Sequence, residues 1–148
     1  MPISLADTSV KKPTKPMRVA FYGVQGVGKT CLADEFPNAI WFQLEDGTPV
    51  GPSGDPLEIN SFDGIRTLGH FFEGIEALIN EDHDYKSLVI DTVDHLEGLV
   101  NSQTCRENNW ATIETPDFGK GWVAAEEKWR DVMDALNYLR DEVGRNSV

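Results

Sequence analysis

The chain has little positive charge, few cysteines and no long apolar run. Thirteen Lys and Arg stand against twenty-five Asp and Glu, a formal charge of −12. That balance argues against a surface that coats nucleic acid, although it leaves room for a local groove. The basic cluster Lys11, Lys12, Lys15 and Arg18 reads better as a solubilising tail than as a DNA contact. Cys31 and Cys105 lie far apart and lack the paired spacing of a metal site, which favours a reducing, cytoplasmic setting over a disulfide. No stretch is long and apolar enough to span a bilayer, so no membrane partner is expected. Met1 to Met17 lacks the apolar core of a signal peptide; its Pro and Lys content predicts a loose tail over 1–16.

The most informative stretch is Gly23-Val24-Gln25-Gly26-Val27-Gly28-Lys29-Thr30, which fits G-x-x-x-x-G-K-T, the Walker A or P-loop pattern. Its glycines let the backbone curl until successive N–H groups point at one phosphate. Lys29 supplies a point charge for the β- and γ-phosphates, and the Thr30 hydroxyl is placed for a magnesium ion that bridges them. Arg18 to Tyr22 just upstream reads as a short buried strand and Thr30 to Glu35 downstream as a helix. The loop is thus expected on a strand-to-helix turn, with the helix N-terminus adding partial positive charge.

Beyond the loop, Phe36-Pro37-Asn38 breaks the pattern, and Ala39 to Leu44 is a run of strand formers ending on the carboxylates Glu45 and Asp46. Thr48 to Pro56 reads as a surface loop, Leu57 to Asn60 as a short strand, and Ser61 as the N-cap of a helix. In that helix Ile65, Leu68, Phe71, Phe72, Ile75, Leu78 and Ile79 share one face. Ser87 to Ile90 is an apolar run closed by Asp91, the Walker B arrangement, in which the carboxylate holds magnesium directly or through water. A helix is expected from Val93 to Glu107 with Leu96, Val100 and Cys105 inward, and His95 reads as a structural histidine rather than a metal ligand. Asn108 to Lys120 is a loop. Its Gly119-Lys120-Gly121 is no second P-loop, because no strand precedes it and no Ser or Thr follows the lysine. A final helix over 122–143 has Trp122, Trp129, Val132, Met133, Leu136 and Leu139 near one face, with Gly144 as its stop.

Strands alternating with helices predict an α/β fold, a mostly parallel sheet sandwiched by helices with the nucleotide at the carboxyl ends of the strands. Gly23 to Thr30, Glu45-Asp46 and Asp91 then share one edge. A β-α repeat calls for another strand after the last helix, so the chain reads as an incomplete domain over 17–148.

Four stretches carry a more specific likeness: Phe21 to Ala33, Leu44 to Gly47, Tyr85 to Thr92, and Phe118-Gly119-Lys120-Gly121. Together they resemble the phage nucleotide-binding ATPases of the AAA type, RecA-like P-loop proteins of which some are single-strand annealing recombinases. The resemblance implies ATP and Mg2+ as ligands, with Gly23, Val24, Gln25, Gly26, Val27, Gly28, Lys29, Thr30 and Cys31 around the nucleotide and Thr30 and Asp91 on the metal. It implies Glu45 as the carboxylate that polarises the attacking water, with Lys29 as the other catalytic group. It also implies single-stranded DNA as a partner of a full-length protein and assembly into a homo-oligomer. Two other functions fit the P-loop: a small-molecule kinase, which would need an arginine-bearing lid, and a nucleotide-binding regulatory or packaging module with little turnover.

Overall fold

A computed structural model of the chain describes residues 8–9 and 15–143. Lys11, Lys12, most of the expected tail and the helix stop expected at Gly144 lie outside the described residues. The sheet has three strands, β1 (Ala39–Gln43), β2 (Asn60–Phe62) and β3 (Ser87–Asp91), in the order β2-β1-β3. Both pairings are parallel, with Ile40 opposite Asn60 on one side and Gln43 opposite Asp91 on the other. Among the described residues four α-helices accompany it: α1 (Lys29–Asp34), α2 (Leu68–Asn80), α3 (Val93–Asn108) and α4 (Lys120–Val143), the last entered through a 3-10 turn at Asp117–Gly119.

The central position of β1 follows from its composition, since a strand flanked on both edges in a parallel sheet is apolar on both faces. Ile40 and Phe42 share one face and, with Leu44, enter a core built from Phe71, Ile75 and Leu78 of α2, Leu96 and Val100 of α3, and Ala125 and Val132 of α4. Trp41, one residue out of step, points to the opposite face by strand alternation and is equally buried. Phe42 is the centre of the packing: its ring meets Phe62 and Phe71 edge-on, at centroid distances of 5.3 and 5.4 Å. Gly74 makes room for it, because a Cβ there would come within 2.8 Å of the Phe42 ring. Burying each such side chain contributes about 1.5–3 kcal/mol, so this face of the sheet carries much of the stability.

Several elements differ from expectation. Arg18 to Tyr22 is neither buried nor a strand; Tyr22 is fully exposed and Val19 half so. Its apolar character finds no ladder partner, and β-propensity without pairing is not enough. Phe21 instead packs on Phe36, just beyond α1, with ring centroids 6.0 Å apart. The strand expected over 57–60 forms three residues later as β2, which takes Ser61 out of the N-cap role. Gly64, at φ +85, turns the chain, Ile65 enters the core ahead of the helix, and Thr67 caps α2 by accepting the amide of His70 at 3.1 Å. In α3 the third inward residue is Thr104, whose hydroxyl bonds the Val100 carbonyl at 2.8 Å, while Cys105 is only half buried. Helix α4 starts two residues early; Val132 lies in the core with Trp129, Leu136 and Leu139 packed against it as expected, Ala125 joins them, and Trp122 and Met133 are exposed instead.

Candidate functional site

The loop from Gly23 to Gly28 is shaped by its glycines. Gly26 at φ +80 and Gly28 at φ +96 occupy backbone conformations that side-chain-bearing residues rarely adopt, and a Cβ at either position would meet only open space. Gly28 is the N-cap of α1, and Lys29 and Thr30 are the first two residues of that six-residue helix, both half-buried. The Lys29 ammonium lies back across the loop, donating to the carbonyls of Gly23 at 2.7 Å and Val24 at 3.0 Å. Val24, Gln25 and Val27 are exposed. Cys31 turns the other way: its thiol donates to the Val50 carbonyl at 3.7 Å, tying α1 to the loop that follows β1.

Asp91 ends β3 opposite Gln43, the last residue of β1. Its carbonyl accepts the amides of both Leu44 at 2.8 Å and Glu45 at 3.2 Å, so the chain leaving β1 is tied to the end of β3. Burial pushes the Asp91 carboxyl above the ordinary carboxylate range and the neighbouring Glu45 carboxylate pushes it further, while Lys29 and His95 pull the other way. Charges from three separate segments therefore act on one carboxyl. Two carboxylates held together, one of them partly desolvated, favour a cation between or beside them. The peptide between Asp91 and Thr92 is cis. His95 is exposed, and its Nδ1 pairs with the Thr92 hydroxyl at 3.0 Å.

The donor set suits magnesium bound with a nucleotide better than a metal bound by protein alone. Among the described residues, no three His, Cys, Asp or Glu side chains group in a way that could hold an ion. Magnesium is commonly held by one or two protein oxygens, with phosphates and water filling the remaining positions. The Thr30 hydroxyl and the Asp91 carboxylate are oxygens of that kind.

Two residues beside Glu45 carried no motif signal. The side-chain amide of Gln43 donates to the Gly47 carbonyl, and the Arg66 guanidinium pairs with Asp46 at 3.3 Å. Both line an open cleft of about 190 Å³, with Glu45, Asp46, Phe62 and Asp63. The Phe118-Gly119-Lys120-Gly121 stretch lies elsewhere. It packs on the connection between α3 and α4, where the Gly121 backbone comes so close to the Ile113 carbonyl that a Cβ would not fit, and Lys128, more than two turns into α4, pairs with Glu107 near the end of α3 at 2.9 Å.

Among the described residues, no helix is long and apolar enough to cross a membrane. Comparison with curated proteins and with solved structures gives no match. A family model described as an AAA domain matches residues 15–145, from before the glycine-rich loop to the end of α4. The parallel sheet with flanking helices and the loop at a helix start agree with that match, and the chain belongs to the AAA domain family.

Proposed function

We propose that the protein binds magnesium ATP at Gly23 to Cys31 and hydrolyses it to ADP and phosphate, with Glu45 as the group that orients and deprotonates the attacking water. The observation that carries this reading is the bond from the Glu45 amide to the Asp91 carbonyl, with the Glu45 carboxylate and the Lys29 ammonium both acting on the charge of the Asp91 carboxyl. AAA domain membership supports nucleotide binding, and the paired carboxylates favour hydrolysis over binding alone.

In this reading the backbone of the glycine-rich loop cradles the phosphates, and Lys29 exchanges contacts with its own loop carbonyls for the β- and γ-phosphate oxygens. Magnesium, held by Thr30 and Asp91, would neutralise charge on those oxygens. The water oxygen bonds to the γ-phosphorus, the bond from that phosphorus to the β–γ bridging oxygen breaks, and Glu45 accepts the proton. The likeness to phage ATPases extends the proposal to phage DNA recombination or repair, with single-stranded DNA as the partner that stimulates turnover.

Calorimetric titration with magnesium ATP, combined with phosphate-release assays, tests this. Lys29→Ala should lose binding or turnover, and Glu45→Gln should bind within about threefold of the parent while turnover falls by about 10²-fold or more. Glu45→Gln turning over at the parental rate removes Glu45 from the chemistry. Turnover that rises with single-stranded DNA supports the recombination reading, whereas turnover that requires an added metabolite sinks it in favour of a kinase.

A further inference from the structure

We infer that Gln43 and Arg66 are positioning residues for Glu45, an inference that rests on the hydrolytic reading above. Glu45 leaves β1 in a short turn, Glu45-Asp46-Gly47, and an exposed turn of this kind has no reason to hold one geometry. Here it is tied at three points. Its first amide is bonded to the Asp91 carbonyl. Its last carbonyl, on Gly47, accepts the Gln43 side-chain amide, so a residue of the central strand closes the turn from beneath. Its middle residue, Asp46, pairs with Arg66 at 3.3 Å.

Arg66 stands on a firm base, since Ile65 and Leu68 on either side of it are both core residues. The guanidinium therefore extends from the β2-α2 connection to the turn after β1, joining the carboxyl ends of neighbouring strands. Glu45 lies between two sets of restraints, with Asp91 on one side and the cleft lined by Gln43, Phe62, Asp63 and Arg66 on the other. A general base must stay within reach of one water molecule, and small displacements of such a group cost rate far more than they cost binding. The two side chains bond to the Gly47 carbonyl and the Asp46 carboxylate, not to the glycine-rich loop or the Asp91 side chain. Their loss should therefore slow turnover and leave nucleotide affinity alone.

The variants are Gln43→Met and Arg66→Met, which keep the side-chain length and remove the donors, made singly, together and in the Glu45→Gln background. Each single change should lower kcat by about threefold to fivefold and the pair by about tenfold, with the magnesium ATP dissociation constant within twofold of the parent. Arg66→Lys should recover part of the rate. In the Glu45→Gln background the same changes should leave the residual rate unaltered, because they act through Glu45. Amide exchange over residues 44–47, measured without nucleotide, should speed up several-fold in the double variant while the rest of the sheet is unchanged. A kcat loss that persists in the Glu45→Gln background, an affinity that falls in step with kcat, or unchanged exchange at 44–47 would overturn the inference. If the parent shows no turnover, or Glu45→Gln matches it, the hydrolytic reading fails, and the exchange measurement alone decides whether the turn is held by these two residues.

Discussion

Glu45 and Asp91 are joined through backbone before their side chains interact: the Asp91 carbonyl accepts the Glu45 amide at 3.2 Å. The bond holds the turn after β1 to the end of β3, and the Glu45 carboxylate raises the pKa of Asp91. Such an arrangement costs stability and is expected where a cation is to be held.

The cost has a defined pH dependence. Folding raises the Asp91 pKa above its ordinary value of 3.8, so in the window between that value and the raised one the folded chain binds more protons than the unfolded chain. Stability contributed at this site therefore falls as pH rises through the window, and the penalty is present in full above it. Asp91→Asn should raise the thermal midpoint of the nucleotide-free protein at pH 7, because it removes the penalised charge. The gain should shrink as the pH is lowered toward 4. Thermal melts of parent and variant between pH 7 and pH 4.5 check this; a midpoint lowered at pH 7 would count against a destabilising charge pair.

Much of the site was legible because its signals are local. The apolar run that ends at Asp91 and the strand that ends before Glu45 are read from a few adjacent residues each and stand where their patterns suggest, and Lys29 opens a helix as its glycine spacing suggests, although no strand leads into that loop. What was not legible depends on partners distant in the chain. Arg18 to Tyr22 has strand composition, yet a strand exists only where a ladder receives it. Ser61 and Thr67 are equally good caps in isolation, and the choice between them is made by the pairing of β2 with β1. Gln43 and Arg66 belong to no motif, and the turn they hold is visible only once β1 and β2 lie side by side.

Two glycines separate close approach from mere tolerance. At Gly121 a Cβ would stand 1.8 Å from the Ile113 carbonyl oxygen, which is backbone and cannot rotate away; at Gly98, inside α3, it would meet nothing within 4 Å. Gly121→Ala should destabilise by about 3 kcal/mol, the upper range for overpacking. Gly98→Ala should stabilise by about 0.5–1 kcal/mol through helix propensity. Urea unfolding of the two variants should therefore move the midpoint in opposite directions, and a shared direction would contradict the geometry at one of them.

Thr67 is the first residue of the α2 boundary to make a side-chain cap, and Phe71 and Leu68 follow directly into the core. Thr67→Ala removes the acceptor for the His70 amide and should cost about 1 kcal/mol, whereas Thr67→Ser should cost little. Ser61→Ala, inside β2, should leave the stability of α2 unaltered. Denaturant unfolding of all three variants ranks the two positions, and a larger loss at Ser61 than at Thr67 would reverse the assignment.

Phe118 and Asn109 adopt nearly the same left-handed backbone, at φ 59, ψ 33 and φ 56, ψ 39. For asparagine this is a common conformation, and Asn109 ends α3 with it; for phenylalanine it carries a steric cost of about 1–2 kcal/mol. Phe118 gains nothing from packing in return, since 97% of its surface is exposed. Phe118→Asn should therefore stabilise the protein by about 0.5–1 kcal/mol, relieving backbone strain without removing a buried contact. A thermal midpoint raised by about 1–4 °C in Phe118→Asn is the expected result. A lowered midpoint would mean that the aromatic ring is covered in solution and contributes more by burial than its backbone costs.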